Sequence, residues 1–263
     1  MAEVTFSRKL VAEFLGTGTL VLGGPGTVAT TFLLINGQKG TKTEYAFDMA
    51  HLGMIAFAFM LVIAALVYAI GHISGCHINP AVTLALAVAK KMPWSEVPGY
   101  LLAQFLGGTA GAFAIWGALG NAGLKAGLGS LSYTAPVTVG QAFFVELLGT
   151  FLLIIVVFGT ATDSRATPGW AGLAIGSYVF VAVTMWGPIT GPAINPARYV
   201  GPFLAKSILD GKAPAALSQI PVYLVADFAG ALLGVALYAF IGATRKSKTV
   251  EYAPPAERVS VAS

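Results

Sequence analysis

The sequence predicts an all-α membrane protein with six transmembrane helices and two re-entrant half-helices in an inverted repeat. Hydrophobic residues make up 56% of the 263 residues and charged residues only 10%, which excludes an ordinary soluble domain. Six apolar stretches approach or exceed the roughly 20 residues that a membrane-crossing helix needs. The tripeptide Asn-Pro-Ala occurs twice, once in each half of the chain.

The six predicted spans follow one another with short connections. They lie near 8–34, 46–70, 96–119, 140–161, 170–187 and 218–243. The charged start of the chain leads into the first span without a cleavage pattern, so we expect this span to remain. Residues 1–243 are predicted to form a single channel domain, and the polar tail 244–263 is predicted to be disordered and cytoplasmic.

Each Asn-Pro-Ala copy predicts the start of a short helix. Asn is a good N-cap, and Pro is well suited to the first helical position. The two copies are Asn79-Pro80-Ala81 and Asn195-Pro196-Ala197. The segments 78–89 and 194–205 would each form about 16 Å of helix, roughly half a bilayer. Two half-helices that begin at mid-membrane are typical of a pore or transport site.

The two halves of the chain, about 8–125 and 139–243, repeat each other. Three pairs of segments resemble one another in the same order: 12–17 and 145–150, 78–81 and 194–197, 100–105 and 223–228. Each half holds three spans, an odd number, so the second half enters the membrane in the opposite direction.

The basic residues predict which side faces the cytoplasm. With both termini inside, the cytoplasmic set is Arg8, Lys9, Lys90, Lys91, Arg165, Arg245, Lys246, Lys248 and Arg258. The outer set is Lys39, Lys42, Lys125, Lys206 and Lys212. Nine against five favours this orientation, and the thin spread of basic residues argues against nucleic acid as a partner.

At these motifs the chain resembles the aquaporin (major intrinsic protein) family. The resemblance rests on Ser-Gly-Cys-His-Ile-Asn-Pro-Ala-Val at 74–82, Thr-Gly-Pro-Ala-Ile-Asn-Pro-Ala-Arg at 190–198, and the Ala-Glu-Phe-x-Gly-Thr opening. It covers about residues 8 to 243. The resemblance implies one pore in each subunit and a homotetramer in the plasma membrane.

The two facing helix starts suggest how water could pass without protons. Their positive N-terminal ends would repel a cation from both sides. The amides of Asn79 and Asn195 could donate to one passing water, whose own hydrogens would then point away toward the two mouths. Plain helix capping is the alternative role for each Asn alone.

The residues before each half-helix are predicted to expose backbone carbonyls to the pore. Irregular backbone at this depth is tolerated only against a wet cavity or inside protein. The predicted pore-loop residues are Gly75, Cys76, His77, Gly191 and Ala193. If this loop lines the lumen, a mercurial should block flux through Cys76; a buried, inert thiol is the alternative.

The resemblance also implies a selectivity filter, which would consist of Phe59, Val183, Pro192 and Arg198. Strict water channels of this family usually carry His where Val183 stands. Glycerol channels usually carry a second aromatic residue in the filter and Asp where Tyr199 stands. The filter therefore looks intermediate, similar to that of archaeal-type aquaporins. Considered alone, Phe59 could instead face the core or lipid, and Arg198 could be an interfacial residue that snorkels.

Two carboxylates at matching places, Glu13 and Glu146, need donors inside the membrane. We expect backbone N–H groups of the re-entrant loops to supply them, which makes these residues supports for the loops rather than a proton relay. Gln104 and Asp227 are predicted to share this role.

The predicted function is passive passage of water, with some leak of glycerol, urea or dissolved gases. The alternatives are a glycerol facilitator and a secondary transporter, which also uses broken helices. We find no nucleophile–base pair, phosphate loop or metal-ligand cluster, so an enzyme, a cofactor and a metal site are not predicted. The expected partners are membrane lipid, water and small neutral solutes.

Overall fold

The computed structural model describes residues 4–38, 46–212 and 215–243, and within these ranges the regular secondary structure is helical. The eight α-helices are α1 (Phe6–Gly37), α2 (Met49–Ser74), α3 (Pro80–Val88), α4 (Val97–Lys125), α5 (Val139–Val157), α6 (Ala171–Thr190), α7 (Pro196–Asp210) and α8 (Ile220–Ile241). Six of them, all except α3 and α7, are long and apolar enough to cross a membrane. The predicted fold class is confirmed.

The predicted spans agree with the helices in number and order, but several helices run past the predicted ends. The first extends from Phe6 to Gly37 instead of 8–34. The fourth span consists of α5 followed by one π-helical turn, Phe158–Thr162, and covers 139–162 instead of 140–161. The predicted tail 244–263 and the predicted outer residues Lys39 and Lys42 lie outside the described residues.

The two half-helices differ in length, which corrects the prediction of about 11 residues for each. The first has nine residues and the second fifteen. Both begin at Pro, because the residues before it are extended or left-handed rather than helical. An ion pair between Lys206 and Asp210, one turn apart, supports the extra turn of α7. Gly211, with φ of 63°, ends it.

The helix packing follows the predicted repeat. Helix α1 packs along α4, and α5 packs in the same way along α8. Both crossings are close enough to require glycine. A β-carbon on Gly107 would lie 2.2 Å from the carbonyl oxygen of Phe14, and one on Gly230 would lie 2.3 Å from that of Leu147. The half-helices pack against the same helices, α3 against α8 and α4, and α7 mainly against α4.

Candidate functional site

The two Asn-Pro-Ala motifs cap α3 and α7. Asn79 Oδ1 accepts a hydrogen bond from Ala81 N at 2.9 Å. Asn195 Oδ1 accepts bonds from Ala197 N at 3.0 Å and Arg198 N at 3.2 Å. Each half-helix therefore starts at its Pro, with its first free N–H groups bonded to the Asn before it.

The two helix starts are joined directly to each other. Asn79 Nδ2 donates to the carbonyl of Ile194 at 2.8 Å, and Asn195 Nδ2 donates to the carbonyl of Ile78 at 2.8 Å. A side-chain amide has two N–H groups, so each Asn keeps one for another acceptor. The sequence predicts that these amides donate into a lumen; the structure adds that one N–H of each amide holds the opposite segment.

A cavity of about 350 Å³ runs along this junction. Its lining includes Lys91, Thr162 and Arg198 as well as both Asn residues. The predicted residues that line it are Phe59, Gly75, Cys76, His77, Asn79, Val183, Pro192, Ala193, Asn195 and Arg198. Pro80, Ala81, Gly191, Pro196 and Ala197 are not among its lining residues.

The rest of the cavity wall is largely apolar. It is formed by residues such as Leu20, Ile63, Val67, Leu153, Val157 and Val179. Most of the polar lining residues lie on the re-entrant segments and at the starts of α3 and α7; Lys91 and Thr162 are the other polar residues in this lining. This arrangement offers hydrogen bonds to a small molecule mainly from the re-entrant segments and the half-helix starts.

Both segments before the half-helices contain left-handed backbone. Cys76 has φ of 48°, and Ile78 and Ile194 both have φ of 42°. Positive φ is uncommon for residues other than glycine and is a genuine outlier for β-branched Ile. A strained backbone of this kind persists only where surrounding contacts determine it, and two buried glutamates provide such contacts.

Glu13 supports the first segment from behind. Its Oε1 accepts bonds from Ser74 Oγ at 2.7 Å and His77 N at 2.9 Å. Its Oε2 accepts bonds from Ile78 N at 2.7 Å and Gln104 Nε2 at 2.8 Å. The carboxylate is fully buried, and these four donors satisfy it.

Glu146 occupies the matching place behind the second segment. Ala193 N donates to both of its oxygens at 3.0 Å, and Ile194 N donates to Oε2 at 2.9 Å. It is also fully buried. In each half, then, a carboxylate on a membrane-crossing helix holds two consecutive N–H groups of a re-entrant segment, as the sequence led us to expect.

Two tyrosines add a second symmetric support that the sequence analysis missed. Tyr100 Oη donates to the carbonyl of Ser74 at 2.8 Å, and Tyr223 Oη donates to the carbonyl of Thr190 at 2.9 Å. Each bond fixes the residue at which α2 or α6 ends. The available signal was the repeat itself, because these tyrosines begin its third pair of matching segments.

Arg198 is buried, with 2% of its surface exposed. Its Nη1 donates to the carbonyl of Gly129 at 3.0 Å, and its guanidinium carbon lies 5.4 Å from the centre of the Phe59 ring, within cation–π range. Its Nε has no partner within the described part of the chain. Gly129 was not predicted. Its φ is 71°, and a β-carbon there would lie 2.4 Å from the carbonyl oxygen of Pro25.

Next to Thr162 of the cavity lining lies a group of hydrogen-bonded residues, Asp163, Arg165, Tyr238 and Gly242, which we call the latch. Arg165 donates to Asp163 Oδ1 at 2.8 Å and to the carbonyl of Gly242 at 3.1 Å. Tyr238 Oη donates to Asp163 Oδ2 at 2.8 Å. The hydrogen bonds from Arg165, above all, hold the pKa of Asp163 well below its usual range. The latch joins the loop after α5 to the end of α8.

Comparison with known proteins agrees with this architecture. The chain is 39% identical over 247 residues to a probable aquaporin AqpM of Archaeoglobus fulgidus, across 90% of this chain and 98% of the relative. It is 35% identical over 249 residues to aquaporin NIP1-1 of Zea mays, across 94% of this chain and 79% of the relative. The structure matches that of an aquaglyceroporin from Plasmodium falciparum with a TM-score of 0.74 and 25% identity, across 89% of this chain and 96% of that one.

The family profile described as major intrinsic protein matches residues 1–238, a range that contains both half-helices, both carboxylate supports and the cavity between them. By this match, and by the aquaporin relatives that align over nearly the whole chain, the protein belongs to the major intrinsic protein family.

Proposed function

We propose that this protein is a passive transmembrane channel for water that also admits small neutral solutes and excludes ions and protons. The observation that carries the proposal is the junction of the two half-helices. Each Asn cap is hydrogen-bonded to the opposite segment, and both Asn residues line the same cavity.

Exclusion of protons follows from the remaining donors at this junction. Asn79 and Asn195 each have a second amide N–H, and both amides border the cavity. A water that accepts both bonds must turn its own hydrogens toward the two mouths, so a chain of waters cannot relay a proton through it. The positive ends of α3 and α7 add an electrostatic barrier to any cation.

Selectivity for solutes is assigned to Phe59, Val183, Pro192 and Arg198. The Phe59 ring lies under the Arg198 guanidinium, and Arg198 lines the cavity, so its guanidinium is the charged donor available to a passing hydroxyl or water. Val183 has no polar side-chain atom and Pro192 has no N–H. A filter with one strong donor and three apolar members suits water together with small neutral solutes such as glycerol, urea or dissolved gases.

A glycerol facilitator is the second candidate. The observation that favours it is the same apolar side of the filter, against which a carbon backbone can pack while its hydroxyl groups face Arg198. The two candidates differ in the ratio of glycerol to water permeability.

A secondary transporter is less consistent with the cavity. Ion-coupled carriers normally place carboxylates where the ion binds. Among the described residues that line this cavity there is no Asp or Glu; Glu13 and Glu146 lie behind its wall and are bonded to backbone N–H groups. Accumulation of solute driven by a proton gradient would favour the transporter.

Assembly and location are proposed from the family. We propose a homotetramer in the plasma membrane, with both termini cytoplasmic and residues 1–243 as the channel domain. Native mass spectrometry of the purified protein tests the subunit count, and a mass other than four chains would contradict the tetramer.

The central test is stopped-flow light scattering of proteoliposomes challenged with sucrose, glycerol or urea. We expect water permeability well above that of protein-free liposomes, slower but measurable glycerol entry, and no proton flux in the same vesicles loaded with a pH-sensitive dye. Water permeability equal to that of protein-free liposomes would overturn the proposal, and so would a proton current that rises with the protein content.

A further inference from the structure

The two halves of the protein differ at one buried position behind the re-entrant segments. In the first half, the amide of Gln104 donates to Glu13 Oε2 at 2.8 Å. In the matching pair of segments, Tyr-Leu-Leu-Ala-Gln-Phe at 100–105 and Tyr-Leu-Val-Ala-Asp-Phe at 223–228, the residue in the place of Gln104 is Asp227. An amide donor is thus replaced by a carboxyl group.

Asp227 is fully buried on α8 and has few partners. Its Oδ1 accepts a hydrogen bond from Thr150 Oγ1 at 3.0 Å. Its Oδ2 is buried without a partner in the described chain. Thr150 lies one helical turn after Glu146 on the same face of α5, so the hydrogen bond from Thr150 brings the Asp227 carboxyl group beside that of Glu146. Two fully buried carboxyl groups are therefore neighbours.

One cation cannot neutralise both groups if both are ionised. Arg198 on α7 is the cation that faces Glu146, and the neutral hydroxyl of Tyr223 lies nearby on α8. Arg198 already donates one N–H to the carbonyl of Gly129. Two ionised carboxylates side by side in a fully buried site repel each other strongly, so such a pair keeps one proton.

The hydrogen bonds indicate which carboxyl group holds this proton. Glu146 accepts the N–H groups of Ala193 and Ile194, which stabilise its charged form. Asp227 accepts a hydroxyl bond from Thr150 and faces the backbone N–H of Asn195, and its Oδ2 is left without a donor in the described chain. A proton on that oxygen satisfies it and provides the missing donor to Glu146.

We propose that Glu146 and Asp227 form a proton-binding site that holds one proton on Asp227 Oδ2. The protonated acid donates to the Glu146 carboxylate as the Gln104 amide donates to Glu13. Asp227 is thereby a positioning residue for the segment 191–194, because it acts through Glu146, which accepts the N–H groups of Ala193 and Ile194. The inference goes beyond the proposed permeation, because neither carboxyl group lines the cavity and the site does not depend on which solute passes.

Infrared spectroscopy of the reconstituted protein at mildly alkaline pH tests the site. A protonated carboxylic acid has a carbonyl band above the amide I band, whereas exposed acids are ionised at that pH. We expect one such band in the unmodified protein and its loss in Asp227→Asn. Absence of the band from the unmodified protein overturns the proposal without any variant, and an unchanged band in Asp227→Asn overturns it as well.

The first half supplies the matched control. Gln104→Glu should create the same pair of acids beside Glu13 and add a second carboxylic acid band of similar size. Asp227→Asn, which restores an amide donor, should keep the melting temperature, whereas Asp227→Leu should lower it. Equal destabilisation by Asn and Leu, or a folded Gln104→Glu variant without an added band, would contradict the proposal. None of these measurements uses flux, so a failure of the proposed channel function is seen separately.

Discussion

Replacing Glu13 by Gln is the most direct test of how the first re-entrant segment is held. The carboxylate accepts two bonds on each oxygen, and each oxygen serves one backbone N–H, that of His77 or Ile78. The other two donors, Ser74 and Gln104, are side chains that can turn to accept instead. A Gln has only one acceptor oxygen. Whichever way its amide is turned, one backbone N–H faces an NH₂ group and loses its partner.

The size of the effect follows from this count. The variant loses one charge-assisted hydrogen bond and leaves one buried donor unsatisfied, which together cost roughly 2–4 kcal/mol. The cost falls on a segment that already holds Cys76 and Ile78 in left-handed backbone. We therefore expect a lower unfolding free energy and a loss of water permeability.

Glu96→Gln is the matched control, because it makes the same substitution in a partly exposed ion pair that, among the described residues, accepts no hydrogen bond from a re-entrant segment. Glu96 pairs with Lys9 at 3.1 Å, with 22% of the Glu side chain exposed, and surface pairs contribute about 0–1 kcal/mol. Denaturant unfolding in mixed micelles and stopped-flow water permeability should both show a much larger effect for Glu13→Gln. Equal effects of the two substitutions would refute this account of the support.

The remaining predictions concern the filter, the thiol and the latch. Val183→His should lower glycerol permeability by about tenfold with a smaller loss of water permeability. The control Val181→His, at a position of the same helix that is 56% exposed, should leave the ratio of glycerol to water permeability unchanged. Equal falls in both permeabilities of Val183→His would contradict the role of Val183. A mercurial should block water flux through Cys76, the single cysteine of the chain, and Cys76→Ser should abolish the block; full sensitivity of the Ser variant would disprove it. Because Arg165 lowers the folded-state pKa of Asp163, the latch is intact at neutral pH and is lost as the pH falls through that lowered pKa. Asp163→Asn should therefore have a lower melting temperature than the unmodified protein at neutral pH, and the two should melt alike in strong acid. A difference in melting temperature that grows in acid would show that the ionised Asp163 carboxylate is not its source.

Much of the candidate site could be predicted because its signals are local or repeated. Asn followed by Pro indicates a helix start at Pro80 and Pro196 from neighbouring residues alone, and the structure begins α3 and α7 there. The repeat pointed to Glu13 and Glu146 as a pair without any knowledge of their contacts. The length of α7 was missed, because the ion pair and glycine that set its end lie beyond the apolar stretch.

Composition, capping residues and the internal repeat were sufficient for the number of spans and for the half-helices, whereas the family came from the resemblance of the motifs at 74–82 and 190–198. The spans and half-helices depend on short-range backbone preferences and on burial of apolar surface, which a linear chain displays directly. The bond between Arg198 and Gly129 joins residues 69 apart, and that between Glu13 and His77 joins residues 64 apart. The partners of such groups, the left-handed backbone of Ile78 and Ile194, and the contact between Glu146 and Asp227 exist only once α1, α4, α5 and α8 have packed, because close helix packing alone brings distant donors and acceptors within bonding distance.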